Sequence, residues 1–218
     1  MPHAGAPLSA SLALPLDARG VVVLAHAGQS SRLSAPSRRL ARRLERAGIG
    51  SLGVDLLTRP EARVDAHTHH LRNDVQKLSR RVIAAIDWLA TQPETYRLRI
   101  GIYGAGVAAA AALEAAAERP QQVAAIAARA PRLDRVRWPV REVRAPTLFV
   151  AGGGLGPPSA SQRRAAPVMR GESWIERVEG AERPDVPDPT LEKITRCVTR
   201  FLVARLTLPA RLHPAVAG

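Results

Sequence analysis

Apolar residues fall along this chain in two rhythms, short unbroken runs and stripes at helical spacing, and the two take turns. Val21 to Ala25 is a continuous apolar run, which predicts a strand buried on both faces. Leu33, Ser37, Leu40, Leu44 and Ala47 then recur at helical spacing until Gly48 and Gly50 end the helix. Leu52 to Leu57 predicts a second buried strand, and Thr58 to His70, rich in charge and histidine, reads as a loop. Leu71, Val75, Leu78, Val82, Ile86 and Leu89 form the clearest stripe in the chain, stopping before Pro93. A strand at Leu98 to Tyr103 passes through Gly104-Ala105-Gly106 into an alanine-rich helix at Val107 to Ala117, whose small side chains predict close approach to the sheet.

Further strands are predicted at Val123 to Ala128, Thr147 to Ala151 and Ser173 to Val178, and Leu12 to Leu16 reads as an edge strand. A short helix over Ser159 to Val168 is expected, and Asp188-Pro189 opens a last helix with Leu191, Ile194, Val198, Phe201 and Leu202 on its stripe. Strand and helix alternate throughout. That order predicts an α/β fold, a three-layer sandwich in which a mostly parallel sheet carries helices on both faces. The expected organisation is a disordered start at 1–11, one domain over 12–206, and a flexible tail at 207–218.

Composition changes this picture little. Aromatic residues are only 3%, so the core must be built from Ala, Val, Leu and Ile. The formal net charge is +13, and of 32 basic residues only Lys77 and Lys193 are lysines, which favours anionic partners. A lone cysteine, Cys197, excludes an intramolecular disulfide and fits a reducing, cytoplasmic setting. The apolar patch Leu8 to Leu16 has no Lys or Arg before it and is broken by Pro15 and Asp17, so a signal peptide is not expected. No apolar run reaches the roughly 18 residues of a membrane span.

Taken in order, ARGVVVLAHAG, HLRND at His70 to Asp74, DWLATQPE, IGIYGAG and RAPTLFVAGG resemble a small α/β-hydrolase of the dienelactone hydrolase-like group, over about Leu12 to Leu206. In that fold a strand turns sharply into a helix at a G-x-S-x-G nucleophile elbow. Here the frame reads Gly104, Ala105, Gly106, Val107, Ala108, with glycine at the nucleophile position. The resemblance also implies an acid after the strand ending at Ala151, where the matching position is Gly154, and a histidine after the last strand, where Arg183 stands. Ester chemistry of this kind needs an activated nucleophile, a base and an orienting acid, and all three positions lack them. Backbone donors survive such substitution, so the N–H groups of Ala27 and Val107 remain candidates for an oxyanion-type site. Glycine at 106 also relieves the positive-φ strain that an elbow nucleophile carries. Asp134, in the loop after the preceding strand, is a further acid candidate without a histidine to orient.

Other clusters carry weaker chemistry. Asp65, His67, His69 and His70 match no complete metal-ligand pattern, so a polar segment is expected there, with no metal and no cofactor. His26, Gln29, Ser30 and His70 are candidates for the lining of a pocket at the old active-site mouth, Ser30 more as a loop or cap residue than a nucleophile. Gly152 to Gly156 is followed by Pro157-Pro158 rather than the G-K-[ST] of a phosphate loop. Arg38, Arg39, Arg42, Arg43 and Arg46 form a basic ridge on one helix without interleaved base-reading residues.

The leading expectation is a family member without hydrolytic machinery, kept as a binding or assembly protein for a small molecule or protein. Two alternatives stand beside it: an active carboxylic-ester or lactone hydrolase using groups outside the family positions, and anion or nucleic-acid binding through the arginine ridge.

Overall fold

The computed structural model describes residues 7–28, 31–136, 140–152, 169–183 and 185–207. Its strands are β1 (Ala10–Ala13), β2 (Val21–His26), β3 (Gly50–Asp55), β4 (Ile100–Ala105), β5 (Val123–Arg129), β6 (Thr147–Ala151) and β7 (Ser173–Arg177). The helices are α1 (Ala35–Arg46), α2 (Arg59–Thr68), α3 (Val75–Thr91), α4 (Val107–Glu118) and α5 (Asp188–Leu206). All seven strands join one sheet in the order β1-β3-β2-β4-β5-β6-β7. Only β1 runs antiparallel to its neighbour; every other pairing is parallel.

The period-2 alternation of each buried strand explains the two cores. From β2, Val21, Val23 and Ala25 face one side with α3 and α4, while Val22 and Leu24 face the other with Leu40 and Leu44 of α1 and Ile194, Val198 and Leu202 of α5. A sheet covered on both faces needs the unbroken apolar runs seen in the sequence. Of the stripe on α1, Ser37, Leu40 and Leu44 are buried, whereas Leu33 precedes the helix and stands half exposed.

Helix α4 lies close against β4, and glycine makes that possible. A Cβ on Gly104 would come within 2.8 Å of the backbone of Ala108 and Ala109. Alanines 108 to 112 are buried in the same contact, packing against the sheet and α3.

Two expectations are corrected. The polar segment after β3 is a helix, α2, opened by a capping box: Thr58 Oγ1 accepts the Glu61 N–H, and the Glu61 carboxylate accepts the Thr58 N–H at 2.9 Å. It ends at His69, which takes the left-handed conformation at φ 56°. At the N-terminus, order begins before residue 12: Leu8 is buried and β1 starts at Ala10, because pairing with β3 and the apolar face beneath it anchor the segment. The helix expected over Ser159 to Val168, and the tail from residue 208, lie outside the described residues.

Strand β3 lies on one side of β2 and β4 on the other, so the sheet order reverses between β2 and β4. In open α/β sheets such a reversal leaves a crevice at the carboxyl ends of the two strands. Those ends are His26 to Gly28 and Ala105 to Gly106.

Candidate functional site

The corner between β4 and α4 has the shape of an elbow. Gly106 sits there at φ 58°, ψ −119°, in the region that favours glycine, and α4 begins at the next residue. Its N–H donates to the Arg129 carbonyl at 2.9 Å and its carbonyl accepts the Arg132 N–H at 3.1 Å, so β5 and its following loop pin the corner. A Cβ on Gly106 would meet nothing within 4 Å among the described residues. The backbone therefore presents an open slot where a nucleophile side chain would project. No side chain caps α4, so the Val107 N–H is one of the free donors of its first turn. Ala27 stands just beyond β2, partly buried against the core.

The resemblance matched two more positions, Gly154 and Arg183, to the family's acid and base. Gly154 lies outside the described residues. Gly152, at the start of the same loop, has the Glu182 carboxylate packed where its own Cβ would be. Arg183 is exposed and paired with Asp185 at 3.1 Å. Asp134 is likewise committed, hydrogen-bonded to Arg132 at 2.8 Å, which holds its carboxyl below the usual range.

Of the histidine cluster only Asp65 is buried, while His67, His69 and His70 are exposed. Asp65 is fully buried and accepts the Arg72 N–H at 2.9 Å as well as the Arg72 guanidinium. Burial works to raise its pKa, but these bonds outweigh it and the net shift is downward. His70, expected in the pocket wall, is instead exposed just beyond the left-handed turn at His69 that ends α2, with Nδ1 at 2.8 Å from Thr68 Oγ1. Among the described residues no three His, Cys, Asp or Glu side chains converge as a metal site.

A cavity of about 460 Å³ opens at the strand ends on the face covered by α1 and α5. Ala27, Ala105 and Ala108 mark its rim beside the elbow; Leu24, Leu40 and Ile194 form its apolar wall. His26 projects into it from the end of β2, with Nε2 at 3.2 Å from Ser37 Oγ. Burial drives the His26 pKa down to about 4 against the opposing pull of Asp55, so the imidazole is neutral at neutral pH. Asp55, beside His26 in register, is paired with Arg32. Tyr103 and Arg129 reach the cavity from β4 and β5, and Thr195 from α5. Burial raises the Tyr103 pKa although the nearby Arg129 charge opposes it, so the phenol stays protonated. Gln29 and Ser30 lie outside the described residues.

Sequence reasoning missed Arg129, Tyr103 and Thr195. The available signal was position: Arg129 is the one charged residue of VAAIAAR and stands at the carboxyl end of its strand.

A doubly covered, mostly parallel seven-stranded sheet with a positive-φ glycine at the strand-to-helix corner defines an α/β-hydrolase fold. No family model matches the chain. The crystal structure of dienelactone hydrolase from Anabaena variabilis superposes with a TM-score of 0.82 at 33% sequence identity, covering 93% of this chain and 94% of that one. The chain thus belongs to the dienelactone hydrolase family. The esterase Est1E from Butyrivibrio proteoclasticus shares the fold at a TM-score of 0.71 and 13% identity, over 92% of this chain and 95% of that one. Two Mycobacterium tuberculosis proteins, from strains CDC 1551 and H37Rv, are provisionally named phosphoribosyl transferases; each is 36% identical over 203 residues, 93% of this chain. The chain spans 45% of the length of these relatives.

Proposed function

We propose that this dienelactone hydrolase family chain does not hydrolyse esters through its elbow and serves as a small-molecule binding domain. One observation carries the reading: Gly106 holds the elbow conformation with open space in front of it and no side chain to attack a carbonyl. An uncharged, exposed or absent group at each partner position supports it, since a nucleophile without a base is a weak one. A binding role suits a domain whose mycobacterial relatives carry further sequence and are named for another activity, a name that belongs to the whole of those proteins. A buried lone Cys197 supports a reducing, cytoplasmic setting.

The test is intact-mass spectrometry after exposure to a fluorophosphonate probe, beside turnover of an activated aryl ester. No adduct and no turnover above buffer are expected. A stoichiometric adduct on one serine with turnover refutes the reading.

A hydrolase acting through displaced groups has one specific support, the Ser37–His26 pair in the cavity with Asp55 alongside. Against it, Asp55 is engaged by Arg32, and Ser37 lies in the first turn of α1 bonded to Ser34. Loss of a probe adduct in Ser37→Ala would establish that alternative. The arginine ridge has less to offer a nucleic acid, because Arg39 pairs with Asp188 at 3.0 Å and Arg43 with Glu192 at 2.6 Å, tying α1 to α5.

A further inference from the structure

Arg129 is a cation without a counter-charge. It closes β5 and lines the cavity, its Nε is buried without a hydrogen-bond partner, and its side chain forms no hydrogen bond or ion pair with any described residue. The residues outside the described set cannot neutralise it with an acidic side chain, since all 19 Asp and Glu residues of the chain lie within it. No aspartate or glutamate lines the cavity, and among the described residues Arg129 is the only lysine or arginine that does. A guanidinium keeps its charge wherever it is placed, so a partly buried one with unmatched donors is unfavourable until an acceptor arrives.

Two hydroxyls without a described partner share its cavity. Tyr103 is half-buried near Arg129, and Thr195 is only 2% exposed; neither hydroxyl bonds to a described residue. Around them the lining is largely hydrocarbon: Leu24 pairs in register with Tyr103, Leu191 and Val198 flank Thr195 on α5, and Leu40 comes from α1. An unmatched cation and two unbonded hydroxyls in a lining that is otherwise largely hydrocarbon define what fits.

We infer that this cavity is a receptor for a small organic oxyanion, a carboxylate or phosphate monoester on a compact apolar body, with its head on Arg129, Tyr103 and Thr195. The inference rests on the reading that the cavity is kept for binding and adds the ligand class. Arginine suits it because its planar fork meets two oxygens of either head group at once.

The test is calorimetric titration of the full chain at low salt with benzoate, phenyl phosphate and benzyl alcohol, which share an aromatic body and differ in the head. One or both anions are expected to bind in 1:1 stoichiometry at least about tenfold more tightly than benzyl alcohol, the scale of a charge-assisted hydrogen bond. Preference for benzoate assigns a carboxylate ligand and preference for phenyl phosphate a phosphate monoester. Arg129→Gln should abolish the preference for anion over alcohol, and Tyr103→Phe and Thr195→Val should each weaken it several-fold. Those two variants carry the test if Arg129→Gln does not fold. Equal binding of all three probes, no binding at all, or an anion preference unchanged in the variants overturns the inference. Ester turnover or a probe adduct overturns only the non-catalytic reading, so the two failures are distinguishable.

Discussion

Acidification should weaken this fold in a pH window set by one cavity residue. His26 is held neutral by burial, with its pKa down to about 4 against an ordinary 6.5. The unfolded chain therefore binds a proton near pH 6.5 that the folded chain refuses until about pH 4. Stability from this group is complete above 6.5 and is lost as pH falls from 6.5 towards 4. For these two values, linkage gives a loss of about 2 kcal/mol between pH 7 and pH 5, and about 3 kcal/mol by pH 4. Against a total of roughly 5–15 kcal/mol for a domain this is a large share. Urea denaturation at pH 7 and pH 5 measures it, with His26→Gln as the control, since glutamine keeps a polar group near Ser37 Oγ but cannot titrate. The wild type should lose about 2 kcal/mol more than the variant across that interval. Equal losses in the two proteins, or a wild type more stable at pH 5, would refute the argument.

Four further outcomes follow from the structure. Gly106→Ser places its Cβ clear of every described residue but must adopt φ 58°, so it should cost about 1–3 kcal/mol by chemical denaturation and gain no ester turnover. Gly104→Ala places a methyl 2.8 Å from the α4 backbone and should cost at least as much through overpacking, read in the same assay. Glu61 and Asp65 both have pKa values lowered by hydrogen bonds that outweigh burial, so their stabilisation persists above their ordinary values of 4.5 and 3.8 and disappears as pH falls below them. Asp65→Ala should cost about 1–3 kcal/mol at neutral pH and flatten that acid limb. Cys197 is buried with its thiol pushed up to about 11, so iodoacetamide should label it only after denaturation, as read by mass spectrometry.

Strands, stripes and the elbow were legible because they are written in local periodicity. Val21 to Ala25 cannot alternate if both faces are covered, and Gly104-Ala105-Gly106 between a strand and a helix marks a sharp corner wherever the rest of the chain goes. Helix α2 was legible too, through Thr58-Arg59-Pro60-Glu61, but the polar, histidine-rich composition outweighed the capping signal. Chain order also carried the family resemblance that the superposition bears out. What the sequence could not determine was which unmatched polar groups share a space. Arg129, Tyr103, Thr195 and His26 come from three strands and a distant helix, and periodicity reports which face of an element is apolar, not which elements end up adjacent. Only the packing of α1 and α5 across the strand ends leaves a cavity there, removes water from His26, and withholds every carboxylate from Arg129. Burial and the absence of a partner are properties of the assembled fold, so the charge of this site was decided by tertiary structure.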